Sequence, residues 1–186
     1  MFFYILLHRK QLIMELTKTP SHSHTIMNEL VLPNDTNTLN NLMGGRLLHW
    51  MDIVAAIAAQ KHSGKTVVTA SVDSVSFGKC IRLGDVVTLE AKVSRAFNSS
   101  MEIHIIVHAE NIPSGEKFKS NEAYYTFVAL DRNGTPMKVP SLVPETEEEQ
   151  KRYDGALRRR QLRLILGGKM KADEATELKA LFFPEG

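Results

Sequence analysis

Between residues 45 and 61 the apolar positions Leu47, Leu48, Met51, Val54, Ala55, Ala58 and Ala59 recur at helical spacing, and Trp50, Ile53 and Ile57 extend that coverage around most of the cylinder. A helix apolar on nearly every side cannot rest on a surface; it belongs inside a core, wrapped by a sheet. Asp52 falls at the border of the densest apolar arc, where an ionised carboxylate loses hydration at a cost of several kcal/mol. Capping or local pairing is the ordinary role of such a residue. Its neighbours point to another. Gly44-Gly45 opens the helix and leaves backbone N–H groups bare and close to any ligand, which suits a carbonyl oxygen or another developing negative charge. The loop Pro33-Asn34-Asp35-Thr36-Asn37 brings an amide to the same short segment, and Asp52 lies two turns further along.

After this helix the pattern changes to strands. Residues 66–77 are rich in β-branched side chains. Val87, Leu89, Ala91 and Val93 alternate with Thr88, Glu90 and Lys92, and Met101, Ile103, Ile105, Val107 and Ala109 alternate with Glu102, His104, Ile106 and His108. Ala123, Tyr125, Phe127 and Ala129 form a last strand closed by the turn Asp131-Arg132-Asn133-Gly134, and residues 25–32 supply a first. The expected order is therefore one strand, one buried helix and four antiparallel strands. From Pro144 onward, Glu145, Glu147, Glu148 and Glu149 precede Lys151, Arg152 and Arg158-Arg159-Arg160, the charge order that a helix dipole favours. Gly167-Gly168 should end that helix, and a second is expected over residues 173–181 with Asp173 as its cap.

A chain of 186 residues, 43% hydrophobic and 24% charged, can bury one real core and carry an appendage. A net charge of +2 is too small to argue for nucleic acid, though it suits an anionic ligand. The single Cys80 excludes an intrachain disulfide framework and fits a reducing compartment. Residues 2–7 are apolar and are followed by His8, Arg9 and Lys10, too short a run for a membrane span and with its bases on the wrong side for a secretory signal. A cytoplasmic protein with a disordered stretch over residues 1–23 is expected, with Met14 as a candidate internal start and His22 and His24 in solvent. His104 and His108 share a strand face but stand about 13 Å apart, too far to share one metal. The chain has neither a Gly-x-Ser-x-Gly elbow nor a phosphate-binding glycine loop, and Cys80 has no sequence cue for a catalytic partner.

The ordered set Leu32-Pro33-Asn34-Asp35-Thr36-Asn37, Gly44-Gly45-Arg46-Leu47-Leu48 and Met51-Asp52 resembles the acyl-CoA thioester hydrolase branch of the hotdog-fold thioesterases. Residues 68–77 and 81–87 extend the likeness, which covers residues 24 to 140. The resemblance implies an α+β hotdog fold, a curled antiparallel sheet around a central helix. It divides the chain into an extension (1–23), a hotdog domain (24–143) and a C-terminal helical extension (144–186). It also implies hydrolysis of acyl-CoA to a carboxylic acid and coenzyme A, without a cofactor beyond the coenzyme A of the substrate.

A thioester carbonyl is already activated, so a positioned water, a base and an oxyanion donor suffice. Asp52 is assigned as the base or water-orienting carboxylate, and the resemblance carries the second catalytic position onto Asn37. Gly45 would offer its N–H to the carbonyl oxygen and Gly44 would permit close approach. The resemblance further implies a site between two protomers of a homodimer, with a trimer of dimers as a larger assembly, and no nucleic-acid or membrane partner. Relatives often carry Gly-Arg-Ser-Ser where this chain has Phe97-Asn98-Ser99-Ser100, so Arg95 and Ser99, with Ser76, are the candidates for binding substrate or coenzyme A. Asn40-Asn41 stands where relatives often have a glycine. The run Arg158-Arg159-Arg160 reads as a solvated helix face, with contact to a coenzyme A phosphate as the alternative. Rival functions are a non-catalytic acyl-CoA-binding protein and a hydratase or dehydratase, for which His49 would be the histidine near Asp52.

Overall fold

The computed structural model describes residues 17–73, 75 and 77–182. In chain order these form strand β1 (Thr17–Lys18), the one-turn helix α1 (Pro20–Ser23), β2 (Thr25–Leu30), a 3-10 turn (Pro33–Asp35) and the long helix α2 (Gly44–Ser63). Strands β3 (Thr66–Asp73), β4 (Val86–Ala96), β5 (Ser100–Asn111), β6 (Glu116–Leu130) and β7 (Ser141–Leu142) follow, then helix α3 (Glu147–Leu166), a 3-10 turn (Ala172–Glu174) and α4 (Thr176–Lys179).

Five strands make an antiparallel sheet in the order β2-β4-β5-β6-β3, and α2 packs against it. Alternation explains the packing: Val87, Leu89, Ala91 and Val93 of β4 and Met101, Ile103, Ile105 and Val107 of β5 are fully buried, as are Met51, Val54, Ala55 and Ala58 of α2. This is the strand, helix and four-strand order that the hotdog resemblance implies. Gly64 ends α2 in the left-handed region (φ 66°), its N–H bonded to the Gln60 carbonyl at 2.7 Å. No helix among the described residues is long and apolar enough to cross a membrane.

The wrapping of α2 is incomplete. Ile53 is 36% exposed and Ile57 39%, so one side of the helix is bare within a single chain. That side adjoins β3, which is an edge of the sheet and carries the exposed apolar residues Val68 and Val72.

Two local expectations fail. Residues 17–23 are ordered, although the sequence reads there as a polar extension. Lys18 Nζ donates to the carbonyls of Lys61 (3.1 Å) and His62 (2.8 Å) at the end of α2, and β1 pairs in parallel with β7. Ser23 is buried and its Oγ accepts the Val93 N–H at 2.9 Å. His24 Nε2 stands 2.8 Å from Glu90 rather than free in solvent. Asp173 is not a helix cap, because it lies inside the 3-10 turn and the chain bends at Ala175 before α4 begins. The Leu178 N–H is then bonded to Gln161 Oε1 of α3 at 2.8 Å. By contrast α3 begins as its charges suggest, with Thr146 Oγ1 accepting the Glu149 N–H at 3.2 Å. The chain separates into two compact units, one ending at Val143 and the other starting at Pro144.

Candidate active site

Asp35 secures the loop before α2. Its carboxylate accepts the Leu32 N–H at 3.0 Å and pairs with Arg46 Nε at 2.9 Å, while its carbonyl accepts the Met43 N–H at 2.9 Å. The exposed Asn37 sits on the loop so held. Its Oδ1 accepts two backbone N–H groups, from Leu39 at 2.9 Å and Asn41 at 3.2 Å, which fixes the amide with Nδ2 directed away from the loop. Nδ2 has no acceptor among the described residues. Asn40 lies in the left-handed region (φ 57°), the conformation a glycine would take, and asparagine is the side chain that tolerates it best. The loop is docked at its far side by Leu42 N–H to Ile81 O (2.8 Å) and Leu83 N–H to Asn40 O (3.0 Å).

The first amides of α2, at Gly44 and Gly45, have no acceptor among the described residues. A cavity of about 420 Å³ opens beside Gly44, its lining including Asn37, Leu42, Leu47, Phe77 and Ile81. Nothing lies within 4 Å of a Cβ built on Gly45, and the residue is exposed. Gly44 is crowded instead by the Phe77 ring, 3.1 Å from such a Cβ.

Asp52 is not in this cavity. It shares a face of α2 with Gly45 but lies seven residues further on, about 10 Å along the axis. It is partly exposed rather than buried, since the bare side of α2 runs beside it. Thr69 Oγ1 donates to Asp52 Oδ1 at 2.7 Å, leaving Oδ2 for a water. Thr69 escaped the sequence reading because its direction depends on the register of β3 against β6. A bulge between Thr69 and Ser71 leaves Thr69 opposite Phe127 and Val72 opposite Tyr125, both on the helix side. Beneath Asp52 lies the buried Tyr125, its hydroxyl 3.5 Å from the Leu48 carbonyl. Burial first, and the Asp52 charge second, push the phenol up to about 12, so it stays protonated beside the carboxylate.

The other sequence candidates lie elsewhere. Arg95 and Ser99 flank the β4–β5 turn, where the Arg95 guanidinium stands 5.7 Å from the Phe97 ring and the Ser99 carbonyl accepts the Ala129 N–H. Along β5, Ser100 at that turn and Val107, which pairs with Asn121 of the cavity wall, are about 23 Å apart. A single chain therefore does not bring Arg95 or Ser99 to Asn37. Ser76 lies outside the described residues. His49 is exposed on α2, and His104 is engaged with Glu122 at 2.6 Å.

Residues 39–116 match the sequence model of the thioesterase superfamily. An uncharacterised acyl-CoA thioester hydrolase of Bacillus subtilis (strain 168) is 42% identical over 143 residues, covering 77% of this chain and 83% of that one. Acyl-coenzyme A thioesterase 11 of Mus musculus is 41% identical over 78% of this chain, but the chain spans only 24% of that longer protein. Among solved structures, an apo hexameric acyl-CoA thioesterase is 40% identical with a TM-score of 0.79, covering 81% of this chain and 97% of that one. The acyl-CoA hydrolase of Staphylococcus aureus, solved with butyryl coenzyme A, coenzyme A and coenzyme A disulfide, is 40% identical with a TM-score of 0.76, covering 82% and 95%.

Proposed function

The chain belongs to the thioesterase superfamily, among its acyl-CoA thioester hydrolases, and from that premise we propose that it cleaves acyl-CoA by direct attack of water at a site shared between two protomers. Asp52 takes the proton of the attacking water, and Thr69 holds the carboxylate in place through its 2.7 Å bond. The Gly45 N–H, at the positive end of α2, receives the charge that develops on the carbonyl oxygen. Asn37 Nδ2 holds the water or the thioester. Collapse of the tetrahedral adduct breaks the C–S bond, and the proton held on Asp52 passes to the departing thiolate. Water, carboxylic acid and coenzyme A balance without another reactant.

The separation of Asn37 from Asp52 within one chain carries the proposal of a shared site. Asn37 and Gly44 line the cavity, whereas Asp52 sits beside the bare Ile53 and Ile57 and the unpaired edge of β3. A second copy docked on that side by a two-fold axis would supply its Asp52 to the first copy's Asn37, and cover the exposed apolar residues. A trimer of such dimers fits the hexameric assembly named for two structural relatives. Alanine variants of the S. aureus hydrolase have been solved at an asparagine, an aspartate and a threonine. The intervals between those three equal the intervals between Asn37, Asp52 and Thr69, which supports their joint role. The exposed Cys80 suits a reducing, cytoplasmic setting.

Thiol release from acyl-CoA, followed in mixed dimers, tests the scheme. Asn37→Ala and Asp52→Ala homodimers should each be nearly inactive and folded. After subunit exchange about half the dimers are mixed, and each mixed dimer has one intact site, so activity should return to about a quarter of wild type. Differently tagged, isolated mixed dimers that remain inactive would mean that both residues act within one chain.

A further inference from the structure

The cavity at the start of α2 has an aromatic wall that the hydrolytic scheme leaves unused. Phe77 is 56% exposed, yet its ring is seated against the helix start: a Cβ on Gly44 would stand 3.1 Å from Cζ and 3.3 Å from Cε1. Ordinary carbon contacts are about 3.5–4.0 Å, so the absence of a side chain at residue 44 lets the ring sit this close. Gly44 lines the cavity with the ring, and the exposed Gly45 follows it in the helix. Leu42, Leu47 and Ile81 continue the apolar wall from the ring.

Another part of the lining has different chemistry. Asn121 is 3% exposed, and Ser120 Oγ donates to its Oδ1 at 2.5 Å. An alkyl terminus pressed against that amide would meet hydrogen-bonded polar atoms that gain nothing from it. Phe77, Leu42, Leu47 and Ile81 thus form the apolar part of the trough that this cavity makes beside Gly44, and Ser120 and Asn121 part of its polar lining.

We propose that Phe77 is the specificity-determining residue for the acyl chain. Its ring forms the wall beside the thioester carbonyl and limits the length and bulk of the acyl group that the trough accepts. The assignment rests on the hydrolytic reading of the glycine pair, and it adds where the acyl group lies and what bounds it. Removing the ring lengthens the trough toward solvent past Gly44.

The test is a kcat/KM profile for straight-chain acyl-CoAs from acetyl to palmitoyl, measured on the full chain, with product inhibition by coenzyme A as the control for the rest of the ligand. Phe77→Ala should move the optimum to longer chains and change the long-to-short ratio by about tenfold or more, with inhibition by coenzyme A within about twofold of wild type. Phe77→Leu should fall between, and it retains an apolar side chain should the alanine variant melt early. An unchanged profile overturns the assignment, whether all rates stay the same or all fall together, since a uniform fall means that the ring serves coenzyme A or the fold. A wild type that binds acyl-CoA without hydrolysis overturns the hydrolytic reading itself and this assignment with it.

Discussion

The contact between Thr69 and Asp52 shows how much a single hydroxyl can decide. A carboxylate on a partly exposed helix face has several rotamers, and a water is activated only in the one that aims Oδ2 at it. The 2.7 Å bond from Thr69 favours one rotamer, so in the proposed scheme Thr69 acts through Asp52 as a positioning residue. Thr69→Ala should lower kcat by about tenfold, equivalent to about 1.4 kcal/mol, while KM changes little. Thr69→Ser, which keeps the hydroxyl, should restore most of the rate. Equal losses in both variants would mean that the threonine methyl, and not the hydrogen bond, is what matters. Asn37 follows the same logic with its amide oxygen engaged by two loop N–H groups, so the loop itself presents the donor side of the amide.

The end of α2 is held by parts that are remote in sequence. Lys18 satisfies two of its last carbonyls, and the buried His62 bonds through Nε2 to the Pro140 carbonyl at 2.9 Å, which places the ring proton on Nε2 and leaves Nδ1 without a partner. Burial holds the His62 imidazole below its ordinary 6.5; the Pro140 carbonyl opposes this, and the Lys18 and His22 charges add to it. The unfolded chain accepts a proton near that ordinary value, and the folded chain resists it. Stability from this group is thus complete above about pH 6.5 and falls as the pH drops through the unfolded value toward the folded one. The melting temperature should fall between about pH 6.5 and 5 by more in wild type than in His62→Gln, whose amide can still donate to Pro140. The two proteins differ only at residue 62, so the difference between the two curves isolates His62. Identical curves would remove His62 as the cause.

At the scale of the whole molecule, the catalytic candidates Asn37, Gly45, Asp52 and Thr69 all lie in the unit that ends at Val143. A chain ending there should remain a soluble oligomer and hydrolyse acyl-CoA, with a modest fall in melting temperature seen by calorimetry. Loss of all soluble oligomer would place the boundary elsewhere. Local sequence was enough for the elements and their order, because side-chain period reports directly on backbone conformation: 3.6 for α2, 2 for β4 and β5. It also singled out the amide, the glycine pair and the carboxylate as candidates, which lie within sixteen residues of one another. Tertiary structure alone decided the rest. Thr69 reaches Asp52 because a bulge sets the register of β3, and Phe77 meets Gly44 across 33 positions. Residues 17–23 are ordered because Lys18 finds the end of α2, which nothing in their own polarity announces. Ile53 and Ile57 satisfy the same periodicity as the buried residues of α2 yet stay bare in one chain. Period says which face of an element is apolar, but burial depends on what comes to lie against that face, and that is a property of the packed chain.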